Sequence, residues 1–366
     1  MHTSAQRRQS ADNPLPAASS RRSRSSDRPG GDGRPLLKWA GGKRQLLPAL
    51  APHYPRQFSR YIEAFFGSGA VFFDLQASGV LGGRSALLAD VNPDLVGCYR
   101  TVRDRTEAVV SALRRLDAEY RAGGEAVYYE VRDGRFNPAR AALARTGSAS
   151  DVAMAYTPEL AAMVIFLNRT GFNGLFRLNS AGAFNVPAGR YANPRICDVD
   201  HLRRVAAAFK SRGVRLECTP FDAVLADAGA GDFVYCDPPY APLSKTASFA
   251  HYNAGGFSAF DQRRLQQAVI DAAIRGAHIV LSNSSAPDIV KLYSEPAAKR
   301  AGLTLHLVEA RRAINSRATA RGPVYEVVVS SAARLGAKLP NKLPMAKMQL
   351  AAARVAVLPR VRAKRA

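Results

Sequence analysis

The chain has 366 residues, 47% hydrophobic and 22% charged, with a formal net charge of +23, which suits a globular protein with a nucleic-acid or other polyanionic partner. No apolar run approaches the roughly 20 residues that cross a bilayer, which excludes a helical membrane protein, and no signal core opens the chain, so a cytoplasmic protein is expected. The four cysteines, Cys98, Cys197, Cys218 and Cys236, stand far apart with no CxxC or His/Cys cluster, which argues against structural zinc and a disulfide framework.

Residues 1–34 hold seven Arg and three Asp, a net +4, among Ser, Gly and Pro with no apolar periodicity, and read as a disordered basic tail. The run Lys38-Trp39-Ala40-Gly41-Gly42-Lys43 places the only tryptophan between two lysines and beside paired glycines. Its ring suits an adenine or the core, and Lys43 suits a carboxylate. Residues 61–66 read as a strand, Gly67-Ser68-Gly69 as a tight loop, and 70–77 as the start of a helix; a second strand over 86–89 ends at Asp90. From Thr106 the spacing of Val109, Leu113, Leu116 and Tyr120 is helical. Pro158 opens another helix, through Ile165 and Leu167.

A polar, glycine-rich stretch follows over 168–191, within which residues 179–185, centred on Ala181-Gly182, read as a hairpin turn. Strand character returns at 214–217, 233–236, 279–282 and 325–329. Residues 331–366 carry nine Lys or Arg and no acid, a net +9, and read as a loose arm or weak amphipathic helix; the remaining +10 lies between the tails. Alternating strands and helices predict an α/β sheet, split by a partly helical insert. The expected organisation is a first catalytic part over 35–104, an insert over 105–212 and a second catalytic part over 213–330.

Three features carry chemistry. Phe66-Gly67-Ser68-Gly69 leaves a strand and opens a helix, where glycines let backbone N–H groups approach a ligand. Asp90, at the end of the next strand, suits the two hydroxyls of a ribose; the pair predicts a nucleoside cofactor without choosing between NAD and S-adenosylmethionine. Asp237-Pro238-Pro239-Tyr240 ends the apolar strand 233–236 in one carboxylate, carbonyls without strand partners and a flat ring. That is a ledge for a planar base bearing an amino group. In the insert, Arg177 can donate two bonds to guanine O6 and N7, and Phe172 is suited either to core packing or to wedging into a base stack beside an extruded base.

Taken together, the segments LLKWAGGKRQLL (36–47), YIEAFFGSGAVFF (61–73), LLADVNPDL (87–95), NRTGFNGLFRLNSAGAFNVPAGRY (168–191) and DFVYCDPPY (232–240) resemble, in order, the Dam-type (D12 class) DNA adenine-N6 methyltransferases, and SFAHYNAGGFSAFDQ (248–262) extends the likeness. The resemblance covers roughly 36–330 and neither tail. It implies a Rossmann-like S-adenosylmethionine-dependent methyltransferase sheet with an inserted, mainly helical target-recognition domain carrying a β-hairpin. It implies that Trp39, Lys43, Gly67, Gly69, Asp90 and Asp237 hold S-adenosyl-L-methionine, and that Asp237, Pro238, Pro239 and Tyr240 act on the target adenine. It further implies that Lys38, Phe172, Asn173, Leu175, Arg177, Pro187 and Tyr191 meet double-stranded DNA, with GATC as the expected site. A monomer needing no metal is expected. One departure stands out: Ala64 takes the place of the family's usual proline, which is expected to loosen that turn slightly.

The rival readings are an RNA or protein methyltransferase using the same ledge, a DNA-binding protein that has lost catalysis, and an NAD-dependent enzyme. The last lacks an obvious proton-transfer histidine, since His53, His251 and His306 sit in no recognisable catalytic context.

Overall fold

The computed structural model describes residues 33–242, 257–310 and 324–331. The readings of 1–32 and 332–366 as basic tails, His251, and the part of the 248–262 segment before Phe257 lie outside the described residues.

Seven strands form one sheet: β1 (Arg60–Glu63), β2 (Ser85–Asp90), β3 (Val214–Cys218), β4 (Asp232–Cys236), β5 (His278–Ser284), β6 (Thr304–Ala310) and β7 (Val324–Ser330). Their order is β3-β2-β1-β4-β5-β7-β6. The first five run parallel, and β7 is antiparallel to both β5 and β6. This is the expected α/β, Rossmann-like sheet.

Parallel strands covered on both faces read as continuous apolar runs, and β4 is buried at every position. Its side chains alternate between two cores. Phe233 and Tyr235 join Tyr61, Leu88 and Val280 on one face. Val234 and Cys236 join Ile62, Leu87 and Leu281 on the other. Burial of each such large side chain contributes roughly 1.5–3 kcal/mol. The first core runs on without a break into the insert, through Tyr128, Phe136, Phe166 and Leu167. The second is closed by helices Phe221–Ala226, Ala259–Ile274 and Pro287–Ser294.

β1 is shorter than the strand predicted over 61–66. Past Glu63 the chain keeps one hydrogen bond to each neighbour, Ala64 N–H to the Tyr235 carbonyl (3.2 Å) and Phe66 N–H to the Ala89 carbonyl (2.8 Å), before it turns at Gly67. A proline at position 64 would lack the first of these bonds, so Ala64 ties the turn to β4 at the point where loosening is expected.

Several elements have no counterpart in the sequence reading. Helix Pro93–Asp104 is capped by the Asn92 side chain, Val199–Lys210 by Asp198, and Ala259–Ile274 by a Ser258/Asp261 capping box. β6 lies at the sheet edge with Thr304, Leu307 and Glu309 exposed. The insert is mainly helical, including Thr106–Gly123 and Pro158–Thr170. Within it, after the second of these helices, comes the expected turn: Leu178 bridges Phe184, Gly182 has φ 77°, and the Asn179 side-chain oxygen accepts from the N–H groups of Ala181 and Ala183 at 3.0 and 2.9 Å. A second antiparallel bridge, Gly171 to Ala188, closes the base of the ribbon.

Candidate active site

The strand order reverses between β1 and β4, so the loops leaving their carboxyl ends part and open a crevice. Three of the predicted features converge there. The turn after β1 holds Gly67 and Gly69 at φ 49° and 69°, in the left-handed region that favours glycine. A Cβ at Gly67 would lie 3.1 Å from Trp39 Cδ1, so the missing side chain leaves a cradle between backbone and indole. Asp90, at the end of β2, accepts from Gly67 N–H and Asn92 N–H, both at 2.9 Å. Burial pushes its carboxyl above the ordinary range, and the backbone bonds pull it back. Each carboxylate oxygen retains an acceptor site for a ligand hydroxyl. The Tyr99 hydroxyl donates to the Gly67 carbonyl at 3.0 Å and braces the loop from below.

Asp237 follows β4. Its Oδ1 lies 2.8 Å from Lys43 Nζ and accepts from Ser282 Oγ at 3.0 Å. Burial raises its carboxyl above the usual carboxylate range, while the charge and hydrogen bond of Lys43 and the Ser282 bond act in the opposite sense. Lys43 also stands 4.4 Å from the centroid of the Tyr240 ring and donates to the Gly41 carbonyl at 2.5 Å. Tyr240 donates its hydroxyl to Glu326 Oε2 at 2.6 Å. Carboxylate, ammonium and aromatic face therefore adjoin one another on the ledge.

The braces of this ledge escaped the sequence reading. Gln262 Nε2 donates to the Pro239 carbonyl at 3.0 Å, Asn283 Nδ2 donates to Gln262 Oε1 at 3.0 Å, and Ser284 Oγ donates to the Ala241 carbonyl at 2.7 Å. The polar run Ser282-Asn283-Ser284 after the apolar Ile279-Val280-Leu281 was a usable signal, because it marks the strand end facing the crevice. Glu326 gave none; only the antiparallel return of β7 brings it opposite Ser284. Cys236 is fully buried, with burial pushing its thiol up, and belongs to the core.

The predicted DNA-facing residues lie around the ribbon. Phe172 is 48% exposed, which does not fit the core-packing reading. Asn173, beside it and also exposed, has φ 55°, the only positive φ of a non-glycine among the described residues. Phe176 turns inward and stacks on Trp39, with ring centroids 5.5 Å apart. Its neighbour Arg177 is exposed, its Nε donating to Asn185 Oδ1 at 2.8 Å. Pro187 is exposed, Leu175 is half-buried against the core, and Lys38 Nζ stands 4.9 Å from the centroid of the Tyr191 ring. His53 and His306 pair at 4.6 Å between ring centroids, and the His53 carbonyl lies 2.8 Å from His278 Nε2. His278 pairs with Phe233 at the start of β4, the end away from Asp237. No helix among the described residues is long and apolar enough to cross a membrane.

A family model described as D12 class N6 adenine-specific DNA methyltransferase matches residues 39–314. The type II methyltransferase M1.LlaDCHI of Lactococcus lactis subsp. cremoris is 34% identical over 302 residues, covering 81% of this chain and 95% of the relative. The type II methyltransferase M.MjaIII of Methanocaldococcus jannaschii is 36% identical over 307 residues, covering 81% and 98%. The DNA adenine methylase of Escherichia coli strain K12 is 34% identical over 295 residues, covering 81% and 94%. The match takes in the glycine turn, Asp90, the 171–188 ribbon and the Asp-Pro-Pro-Tyr ledge, and the chain belongs to the D12 class of N6 adenine-specific DNA methyltransferases.

Proposed function

We propose that the chain transfers a methyl group from S-adenosyl-L-methionine to N6 of an adenine in duplex DNA, at GATC or a closely related site. The observation that carries this reading is the meeting of Asp237, Lys43 and Tyr240 on a braced ledge at the sheet's reversal point, beside Asp90 and the Gly67 turn.

The donor fits the residues present. Asp90 offers acceptors for ribose hydroxyls, the cradle between Gly67 and Trp39 admits a flat or extended ligand group, and Lys43 offers a cation for a carboxylate. When bound, S-adenosylmethionine supplies an activated methyl on a sulfonium. The task left to the protein is the nucleophile, because the adenine amino nitrogen is conjugated with its ring. The Asp237 carboxylate and the Pro238 carbonyl accept from that amino group. They favour its tetrahedral geometry and stabilise the positive charge that grows on nitrogen.

The target atom is shielded inside a duplex, so the adenine must be extruded. Unstacking costs a few kcal/mol, which stacking on Tyr240 offsets by about 1–3 kcal/mol. In this reading Phe172 fills the space the base leaves, and Leu175, Arg177, Pro187 and Tyr191 read the flanking pairs from the 105–212 insert. The test is expression in cells lacking adenine methylation, with N6-methyladenine mapped at base resolution. Methyladenine confined to GATC or a one-base variant is the expected result, and an unmethylated genome in cells containing the folded protein rejects the proposal.

A further inference from the structure

Asn168 ends the run of buried residues on helix Pro158–Thr170 and is 4% exposed. Three hydrogen bonds tie its amide to two separate segments. Its Oδ1 accepts from Lys38 N–H at 2.9 Å, and its Nδ2 donates to the Lys38 carbonyl at 2.8 Å and to the Gly174 carbonyl at 2.8 Å. One side chain thus grips Lys38 on both sides of its Cα, as a paired strand would, and holds the turn that carries Phe172 and Asn173. The fit at this junction is close: a Cβ on Gly174, at φ 64°, would lie 2.7 Å from Lys38 Cβ. Trp39, the next residue, lies between the Gly67 turn and the Phe176 ring, so the gripped segment adjoins both the cofactor loop and the ribbon.

We infer that Asn168 is a positioning residue that couples reading of the DNA to binding of the methyl donor, an inference that rests on the function proposed above. Segment and turn are held as one unit. A ligand that fixes the arrangement of Lys38 and Trp39 therefore also fixes that of the Phe172–Gly174 turn, and DNA that fixes the turn does the same for the donor site. Such coupling is reciprocal. The contact is also structural, so a loss of stability alone cannot distinguish the role; a change in linkage between the two sites can.

The experiment uses the full chain, with S-adenosylhomocysteine as probe and two duplexes, the methylated site and a one-base variant of it. In the wild type the cognate duplex tightens the probe by about fivefold or more. Asn168→Ala keeps the probe affinity measured without DNA within a factor of about two, loses that tightening, and lowers the cognate-to-variant ratio of kcat/KM by about fivefold or more. Gly174→Ala, which wedges the same junction from the other side, gives the same pattern and serves if Asn168→Ala does not fold. A wild type that methylates its site but shows no tightening overturns the inference. So does a folded variant that keeps both the tightening and the discrimination. A wild type that methylates no DNA instead removes the proposed function itself, and this inference with it.

Discussion

Lys43 and Asp237, brought together from opposite parts of the chain, form an ion pair of 2.8 Å with side chains only 8% and 18% exposed. Its effect is to oppose burial. Desolvation raises the Asp237 carboxyl, and the neighbouring ammonium holds the raised value down. If the ionised carboxylate orients the adenine amino group, activity falls as pH drops through that raised pKa. Lys43→Met removes the opposing charge, so the acidic limb of the kcat profile moves to higher pH; Lys43→Arg leaves it near the wild-type position. An unmoved limb in the Met variant contradicts the assignment. Asp237→Ala abolishes transfer, by about 100-fold or more, while DNA affinity stays largely intact; normal turnover by that variant sinks the mechanism.

Glu63 lies beneath the site at the end of β1, buried, with its carboxylate accepting from the Tyr61 hydroxyl at 2.8 Å. Burial holds its pKa well above the ordinary 4.5, and the Tyr61 bond acts the other way. The folded protein therefore holds this proton more tightly than the unfolded chain does. The stabilisation is full below the unfolded pKa and is lost as pH rises through the folded one. Glu63→Gln removes the ionisation, so its Tm should decline less than that of the wild type as pH rises above about 4.5. Parallel Tm curves in the two proteins would falsify the account.

Tyr240 carries two separable roles, a ring beside Lys43 and a hydroxyl on Glu326. Tyr240→Ala loses base stacking, about 1–3 kcal/mol in kcat/KM for DNA. Tyr240→Phe keeps the ring and loses one hydrogen bond, a cost of about 1 kcal/mol. Steady-state kinetics on a duplex substrate separate the two. Equal losses in both variants would place the main effect in the Glu326 bond instead.

The two glycines of the β1 turn differ in what surrounds them. A Cβ on Gly69 collides with the Phe66 ring, and the residue sits at φ 69°. Gly69→Ala should therefore cost stability, about 1–3 kcal/mol by chemical denaturation. A Cβ on Gly67 projects toward Trp39. Gly67→Ala should weaken S-adenosylhomocysteine binding more than it lowers Tm, and calorimetry on both variants tests the contrast.

Arg177 is exposed on the ribbon, with its Nε and Nη2 engaged by Asn185 Oδ1 (2.8 Å) and the Asn185 carbonyl (3.3 Å). This tether orients the guanidinium. Arg177→Ala should lose about 1–3 kcal/mol of discrimination at one base pair. Asn185→Ala should relax the same base pair to a smaller degree. Competition assays across single-base variants of the site check both; uniform weakening at every position would mark Arg177 as a phosphate contact.

The sheet and the ledge were legible because they rest on local patterns. Apolar runs gave the inner strands, and punctuation by glycine or by acid and proline marked where those strands end. Along β4 successive side chains alternate in direction, so they enter two cores. The Asn179 to Asn185 turn was legible for the same reason, since Asn and Gly at set offsets fix a hairpin. The helices beginning at Pro93, Val199 and Ala259 carried readable caps that the apolar pattern alone did not reveal.

By itself the sequence determined the α/β class, the order of the motifs and the residue types proposed to meet donor and base. The tertiary structure decided which groups hold those residues in place. Ser282, Gln262, Asn283 and Glu326 brace the ledge from β5, β7 and the helix that opens at Ala259, and Asn168 grips Lys38 from the far side of the insert. None of these contacts follows from spacing along the chain. Hydrogen bonds between distant segments depend on the register and packing of whole elements, and those are set by burial of the two cores rather than by local pattern.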